Sequence, residues 1–337
     1  MIFYTLPDLC SDSFWCRNEY DAVRLDAKAI KKLNDEILNT SGTGMSRLCE
    51  LPRIYNGIEL RKKLSDFDVK RQFYIKGTTV TDEYYSKIRR NILKAKAYNQ
   101  MKTYYGRCRS RTVIKKYPYG DFLSDSKEYH NWDEFALTEL LCGENVVIYI
   151  TTADKKYYYI TAECYSGWVA ANDIEICAAL GEYEGEFIPY TVNNVIRAAF
   201  EQLGAPYGWG GINNGTDCSG FVRETYRRFG LRLPRDCSAQ AKIPVKKYDL
   251  SAMSDKEKKA CLDSISAGAI LQFPGHEMIY LGKYMDSYFV INAANKMVDP
   301  SDPDTVIYPR AVIINTLSVM RPDKTTWLSN LQLALEI

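Results

Sequence analysis

Histidine is almost absent from this sequence: two occur in 337 residues, at positions 130 and 276. A structural zinc site would have to draw its other ligands from cysteine. The ten cysteines, at 10, 16, 49, 108, 142, 164, 177, 218, 237 and 261, include no C-x-x-C pair, so the spacing of such sites is missing and no metal or other cofactor is expected. Net charge is also missing, with 44 Lys and Arg against 42 Asp and Glu, which removes any global pull toward nucleic acid or membrane. No apolar run approaches the ~18 residues of a membrane span, and "MIFYTLPDLCSDSFW" lacks the basic start and apolar core of an export signal. With residue 1 as the true start these absences predict a cytoplasmic protein; a signal peptide already removed would make it periplasmic or secreted. The wide scatter of the cysteines suggests a reducing compartment.

What is present exceeds one domain, since single cores stop growing near ~250 to 300 residues. Residues 1–108 read as a helical, supporting region, clearest in "DAKAIKKLNDEIL", where Ala29, Ile30, Leu33, Ile37 and Leu38 recur at helical spacing. From Lys87 to Lys116 there are eleven Lys and Arg and no Asp or Glu, with Tyr98, Tyr104 and Tyr105 interleaved. Such a run can bind nucleic acid; the reading adopted is a solvated face, or a surface facing an acidic part of the same chain, with no nucleic-acid partner. Between 109 and 180 the β-rich runs "RTVIKKYP", "ENVVIYITT", "KKYYYITAE" and "SGWVAANDIEI" predict a small barrel. The stretch 181–337 opens with a linker, "EYEGEFIPYT", and a helix, "VNNVIRAAFEQLG", that stops at Gly204. A helix from Cys218 to Gly230 follows, then a short one with Ser254 and Glu257 at capping-box spacing. The strands "GAILQF", "HEMIYLG", "SYFVINAA" and "RAVIINTL" complete an α+β arrangement.

Within "GTDCSGFVRETYRRFG" a single cysteine, Cys218, opens a helix. The unpaired N–H groups and partial positive charge of a helix N-terminus favour a thiolate there, and the N–H of Cys218 is itself a candidate oxyanion donor. A thiolate nucleophile needs a base. His130, in polar "SKEYHNWDEF", reads as a surface residue, whereas His276 opens a strand directly after the Pro274-Gly275 turn. With a hairpin bend at Gly282 to Asp286, Asn292 falls roughly opposite His276, where its side-chain oxygen can orient the imidazole.

The stretch "LGAPYGWGGINNGTDCSGFVRETYRRFGLRLPRD", with "FPGHEMIYLG" downstream, resembles the NlpC family of papain-like bacterial cell-wall peptidases over residues 190 to about 320. "SGWVAANDI" looks like the end of a bacterial SH3-type barrel, and residues 1–108 look like the family's stabilising region. The resemblance implies a papain-like catalytic domain in 181–337, with Cys218 as nucleophile, His276 as base and Asn292 as the third polar residue, where many relatives carry His. It assigns Tyr207, Trp209, Asp217, Ser219 and Arg235 to substrate. The implied reaction is hydrolysis of the bond between γ-D-glutamate and a diamino acid, diaminopimelate or Lys, in peptidoglycan-derived peptides with a free N-terminal L-Ala. The alternatives are a wall-binding protein without activity, which would have no need of the Cys-His-Asn trio, and an amidase or acyltransferase on the same scaffold. Cys237, in "LPRDCSAQ", departs from relatives that carry Ser or Thr, and reads as an isosteric replacement or a redox-sensitive thiol.

Overall fold

The computed structural model describes residues 7–128, 133–181 and 187–337; His130 and part of the expected linker lie outside the described residues. The fold is α+β, and the chain divides into two compact units. One comprises Met1–Gly44, Gly185–Gly208 and Gly215–Ile337, the other Met45–Glu184 and Trp209–Asn214. The three-part division expected at 108 and 180 therefore differs at its first boundary, because the first 44 residues join the C-terminal unit. A buried asparagine accounts for this. Asn193 accepts a hydrogen bond from Arg17 N at 3.0 Å and donates to Arg17 O at 2.8 Å and to Asp21 Oδ1 at 2.7 Å, while Trp15 packs its ring 5.2 Å from Phe289.

In this first unit, α1 (Ala27–Asn39) is capped by Asp26, whose side chain accepts from Ala29 N, and buries Ile30, Leu33 and Ile37 of the stripe read from the sequence, with Ala29 and Leu38 half-buried beside them. Each such burial stabilises by about 1.5 to 3 kcal/mol. Three more helices follow: α2 (Val192–Phe200), α3 (Cys218–Arg227) and the four-residue α4 (Cys237–Gln240). The fifth, α5 (Asp255–Ser264), begins with the expected reciprocal capping box of Ser254 and Glu257. The sheet has six antiparallel strands: β1 (Lys246–Asp249), β2 (Ile270–Phe273), β3 (His276–Tyr284), β4 (Ser287–Ala294), β5 (Ala311–Thr316) and β6 (Leu333–Glu336), in the order β1-β6-β2-β3-β4-β5. Strands β2 to β5 are mostly apolar and largely buried, and the polar Gln272, Glu277, Asn292 and Asn315 are buried within them.

The β3–β4 hairpin turns at Met285 and Asp286, both left-handed with φ of 45° and 58°, so the bend lies nearer the end of the Gly282 to Asp286 segment than expected. Near the turn Lys283 pairs with Tyr288 and Gly282 with Phe289; beyond it Tyr280 pairs with Val290 and Ile279 with Ile291. Leu281 is thus an extra residue on β3, a bulge. Partner numbers sum to 571 before it and 570 after it, and this change of parity decides which face each later side chain takes.

The second unit carries a seven-stranded antiparallel sheet in the order Ile174–Cys177, Tyr104–Cys108, Asn145–Thr151, Tyr157–Thr161, Ser166–Ala170, Thr112–Lys115, Ala136–Leu140. It includes every expected β-run. Ile114, Leu140, Val146, Ile160 and Val169 fill one core and Trp168 enters another with Ile88, Ile92, Tyr117 and Tyr119. The basic run is partly consumed by the fold: Arg89 donates to the carbonyls of Ser65 and Phe67, Arg111 pairs with buried Glu139 and Lys115 with buried Asp133. No described helix is long and apolar enough to cross a membrane.

Candidate active site

Asp217 caps α3, its Oδ1 accepting from Gly220 N at 2.9 Å, and so fixes Cys218 as the first helical residue. Gly215, just before, must be a glycine, because a Cβ there would stand 2.6 Å from Gly208 N. That close approach lets Gly208 N and Thr216 N bond to Thr216 O and Pro206 O, which brings Tyr207 alongside the helix start. Burial, then the nearby Cys218 and Asp217, push the Tyr207 phenol well up.

Asp217, Ser219 and Arg235 form a buried cluster. The Arg235 guanidinium grips both Asp217 oxygens, at 2.9 and 2.6 Å, and donates to Ser219 Oγ at 2.9 Å; each of the three residues is at most 5 % exposed. The sequence assigned all three to substrate. The geometry shows a bidentate ion pair that matches Asp217's charge within the protein and supports the helix start. Trp209, 48 % exposed, belongs to the second unit.

His276 leaves the Phe273–His276 hairpin, where Pro274 and left-handed Gly275 (φ 82°) have the signature of a type II turn. Its Nε2 lies 3.0 Å from Asn292 Oδ1. Asn292 shares His276's face because Leu281 is left out of the ladder; a hairpin that paired Leu281 would turn it away. Asn292 Nδ2 donates to Asn315 Oδ1 at 2.7 Å, and Asn315 Nδ2 donates to Thr316 O at 3.0 Å. A backbone carbonyl can only accept, so the chain has one direction: Thr316 orients Asn315, Asn315 orients Asn292, and Asn292 takes the Nε2–H of His276, leaving Nδ1 as the basic nitrogen. Both asparagines are fully buried. Trp327 stands edge-on to the imidazole with centroids 4.9 Å apart.

The Cys218 thiol is held well below its ordinary range, first by a hydrogen bond from Cys237, against the cost of burial, and then by the hydrogen bond and charge of His276. Cys237 is correspondingly pushed far up, and the two sulfurs lie 3.5 Å apart. Gln272 Nε2 bonds both Cys237 O and the Glu277 carboxyl. Burial pushes Glu277 well above the carboxylate range, as does the Cys218 charge. Asn315, Trp327, Gln272 and Glu277 escaped the sequence reading. Their only signal was a polar residue inside an apolar strand, at Glu277 and Asn315. The assembly of depressed thiol, oriented imidazole and helix-start N–H suits nucleophilic acyl transfer.

Residues 204–314 match the NlpC/P60 family and residues 122–170 an SH3 domain of the SH3b1 type. Among characterised proteins, the chain is 28 % identical over 116 residues to dipeptidyl-peptidase 6 of Lysinibacillus sphaericus, covering 34 % of this chain and 38 % of that one. It is 35 % identical over 88 residues to the gamma-D-glutamyl-L-lysine dipeptidyl-peptidase of Bacillus subtilis (strain 168), covering 26 % of this chain and 25 % of that one. The chain thus spans well under half the length of these relatives. A solved NlpC/P60 endopeptidase from Photobacterium damselae subsp. piscicida shares the fold at TM-score 0.73 and 14 % identity, over 96 % of both chains.

Proposed function

From the premise that this is an NlpC/P60 family chain with an SH3-type domain, we propose that it is a cysteine peptidase that hydrolyses the γ-D-glutamyl bond to a diamino acid, diaminopimelate or Lys, in peptidoglycan stem peptides. The observation that carries the reading is the one-directional chain from Thr316 through Asn315 and Asn292 to His276 beside a depressed Cys218 thiol. Binding alone has no use for a locked imidazole tautomer. The names of these two relatives, dipeptidyl-peptidases with one specified for γ-D-glutamyl-L-lysine, support the choice of bond.

In the reaction, the Cys218 thiolate attacks the γ-carbonyl carbon, and the developing oxyanion is met by the N–H groups at the start of α3. His276 returns the thiol's proton to the departing amine, and water, deprotonated by the same imidazole, releases the γ-D-glutamyl product from the thioester. Selection of a free L-Ala ammonium by Asp217 is not part of this reading, since Arg235 already matches that carboxylate.

Mass spectrometry of L-Ala-γ-D-Glu-diaminopimelate and L-Ala-γ-D-Glu-L-Lys peptides after incubation tests it. Wild type is expected to release the dipeptide from at least one, and Cys218→Ala to fall to background with the fold intact by circular dichroism. Residual Cys218→Ala turnover above a tenth of wild type, a barrier change of only ~1.4 kcal/mol, removes Cys218 as nucleophile. An intact wild-type chain that cleaves neither peptide favours the wall-binding alternative.

A further inference from the structure

We propose that Cys218 and Cys237 are an oxidation site, converted by peroxide to a disulfide that blocks the nucleophile and restored by a thiol reductant. The observation is geometric. The two sulfurs lie 3.5 Å apart, and closing to a bond of ~2.05 Å needs an approach of about 1.5 Å, within reach of side-chain rotation and a small backbone shift. The two partners differ in how firmly they are held. Cys218 is fixed by the Asp217 cap and the buried Arg235 ion pair behind it. Cys237 opens a helix of only four residues that has no side-chain cap, so it is the sulfur that moves. It is also the more accessible of the two, half-buried where Cys218 is buried, which gives a small oxidant a way in.

The peptidase chemistry makes the first step fast, since the form of Cys218 that attacks a carbonyl is also the form that attacks a peroxide. The Cys218 thiolate attacks one oxygen of hydrogen peroxide, the O–O bond breaks, and the hydroxide that leaves becomes water with the proton held by His276. Cys218 is now a sulfenic acid, oxidised by two electrons as the peroxide is reduced. The Cys237 sulfur then attacks the Cys218 sulfur, the S–O bond breaks, and the departing hydroxide takes the Cys237 proton as a second water. Two thiols and one peroxide give one disulfide and two waters. Two equivalents of a monothiol, or one dithiol, reverse the change and are themselves left as a disulfide. Without a neighbouring thiol the sulfenic acid would be exposed to further, irreversible oxidation. Cys237 therefore protects the nucleophile while it silences it. A serine at 237 can retain the hydrogen bond to Cys218 but cannot form the bond.

The loss of hydrolysis rests on the peptidase reading, so the test reads the bond separately from the rate. Full-length protein is treated with hydrogen peroxide near stoichiometry, alkylated, and mapped by mass spectrometry before and after dithiothreitol. Wild type is expected to lose about 2 Da as a cross-link between the peptides of Cys218 and Cys237, to lose at least nine-tenths of its hydrolytic rate, and to regain both with dithiothreitol. Cys237→Ser, or Cys237→Ala if serine disturbs the fold, should instead accumulate oxygen on Cys218 and fail to regain its own starting rate. An oxygenated Cys218 in wild type without the 218–237 cross-link overturns the inference. So does recovery of the Cys237 variants as complete as that of wild type. A chain that cross-links reversibly yet cleaves no peptide leaves the inference standing and overturns the proposed function instead.

Discussion

The proton that leaves the Cys218 thiol must find its imidazole in one tautomer, and two buried amides set that tautomer. Asn292→His keeps an acceptor for Nε2–H and is expected to retain most of kcat/KM, whereas Asn292→Ala should lose far more. Asn315 never meets the imidazole; it acts through Asn292 by holding the amide's direction. Asn315→Leu removes that hold, and kcat is expected to fall about tenfold, ~1.4 kcal/mol, with KM little changed and the acid limb of the pH profile displaced. Equal effects on kcat and KM, or an unchanged pH profile, would mark Asn315 as merely structural. Of this machinery Cys218 and His276 were legible in the sequence, since a helix start and a strand start can be read from Asp217 and from Pro274-Gly275. Asn315 was not, because an Asn in "RAVIINTL" has meaning only once its strand is placed against β4.

The start of α3 is braced by Arg235, which reaches back from the loop before α4 to the buried Asp217 carboxylate. Arg235→Met is expected to cost about 3 to 5 kcal/mol, read as a lowered urea midpoint, and adding Asp217→Asn should restore part of it by removing the orphaned charge. Full additivity of the two changes would refute the coupling. Periodicity and turn residues made the elements themselves readable: α1, the Ser254 capping box and the strands β2 to β5 all stand where the pattern put them. The family motif marked Asp217, Ser219 and Arg235 as site residues, but a motif position does not reveal that two of its charges pair with each other. The bulge at Leu281 was equally invisible, as nothing in an apolar strand marks the one residue that will go unpaired.

Across the whole molecule, stability should fall toward alkaline pH on account of Glu277. Burial pushes its carboxyl well up, so the folded state holds a proton to higher pH than the unfolded chain, which releases it near ~4.3. That contribution is present in full below the unfolded value and is lost as pH rises from there toward the folded one. Glu277→Gln has no such proton to lose, and its melting temperature relative to wild type is expected to climb between pH 4 and pH 8; a constant difference would show that Glu277 is ionised in the fold. The membership of the first 44 residues in the C-terminal unit was also beyond the sequence, resting as it does on Asn193 meeting Arg17 and Asp21 from 172 or more positions away. The bulge has a consequence for descent as well. Deleting Leu281 would leave Gly282 opposite Phe289 and Tyr280 opposite Val290, as now, so a regular hairpin one residue shorter would keep His276 and Asn292 on one face. Loss of a second residue between His276 and the turn would shift the register by one and set the imidazole and Asn292 on opposite faces while the core closed over an ordinary strand pair. In lineages of this fold the unpaired residue is therefore a reserve: the strand can give up one position and keep the pair together, and the next one lost makes a pseudoenzyme.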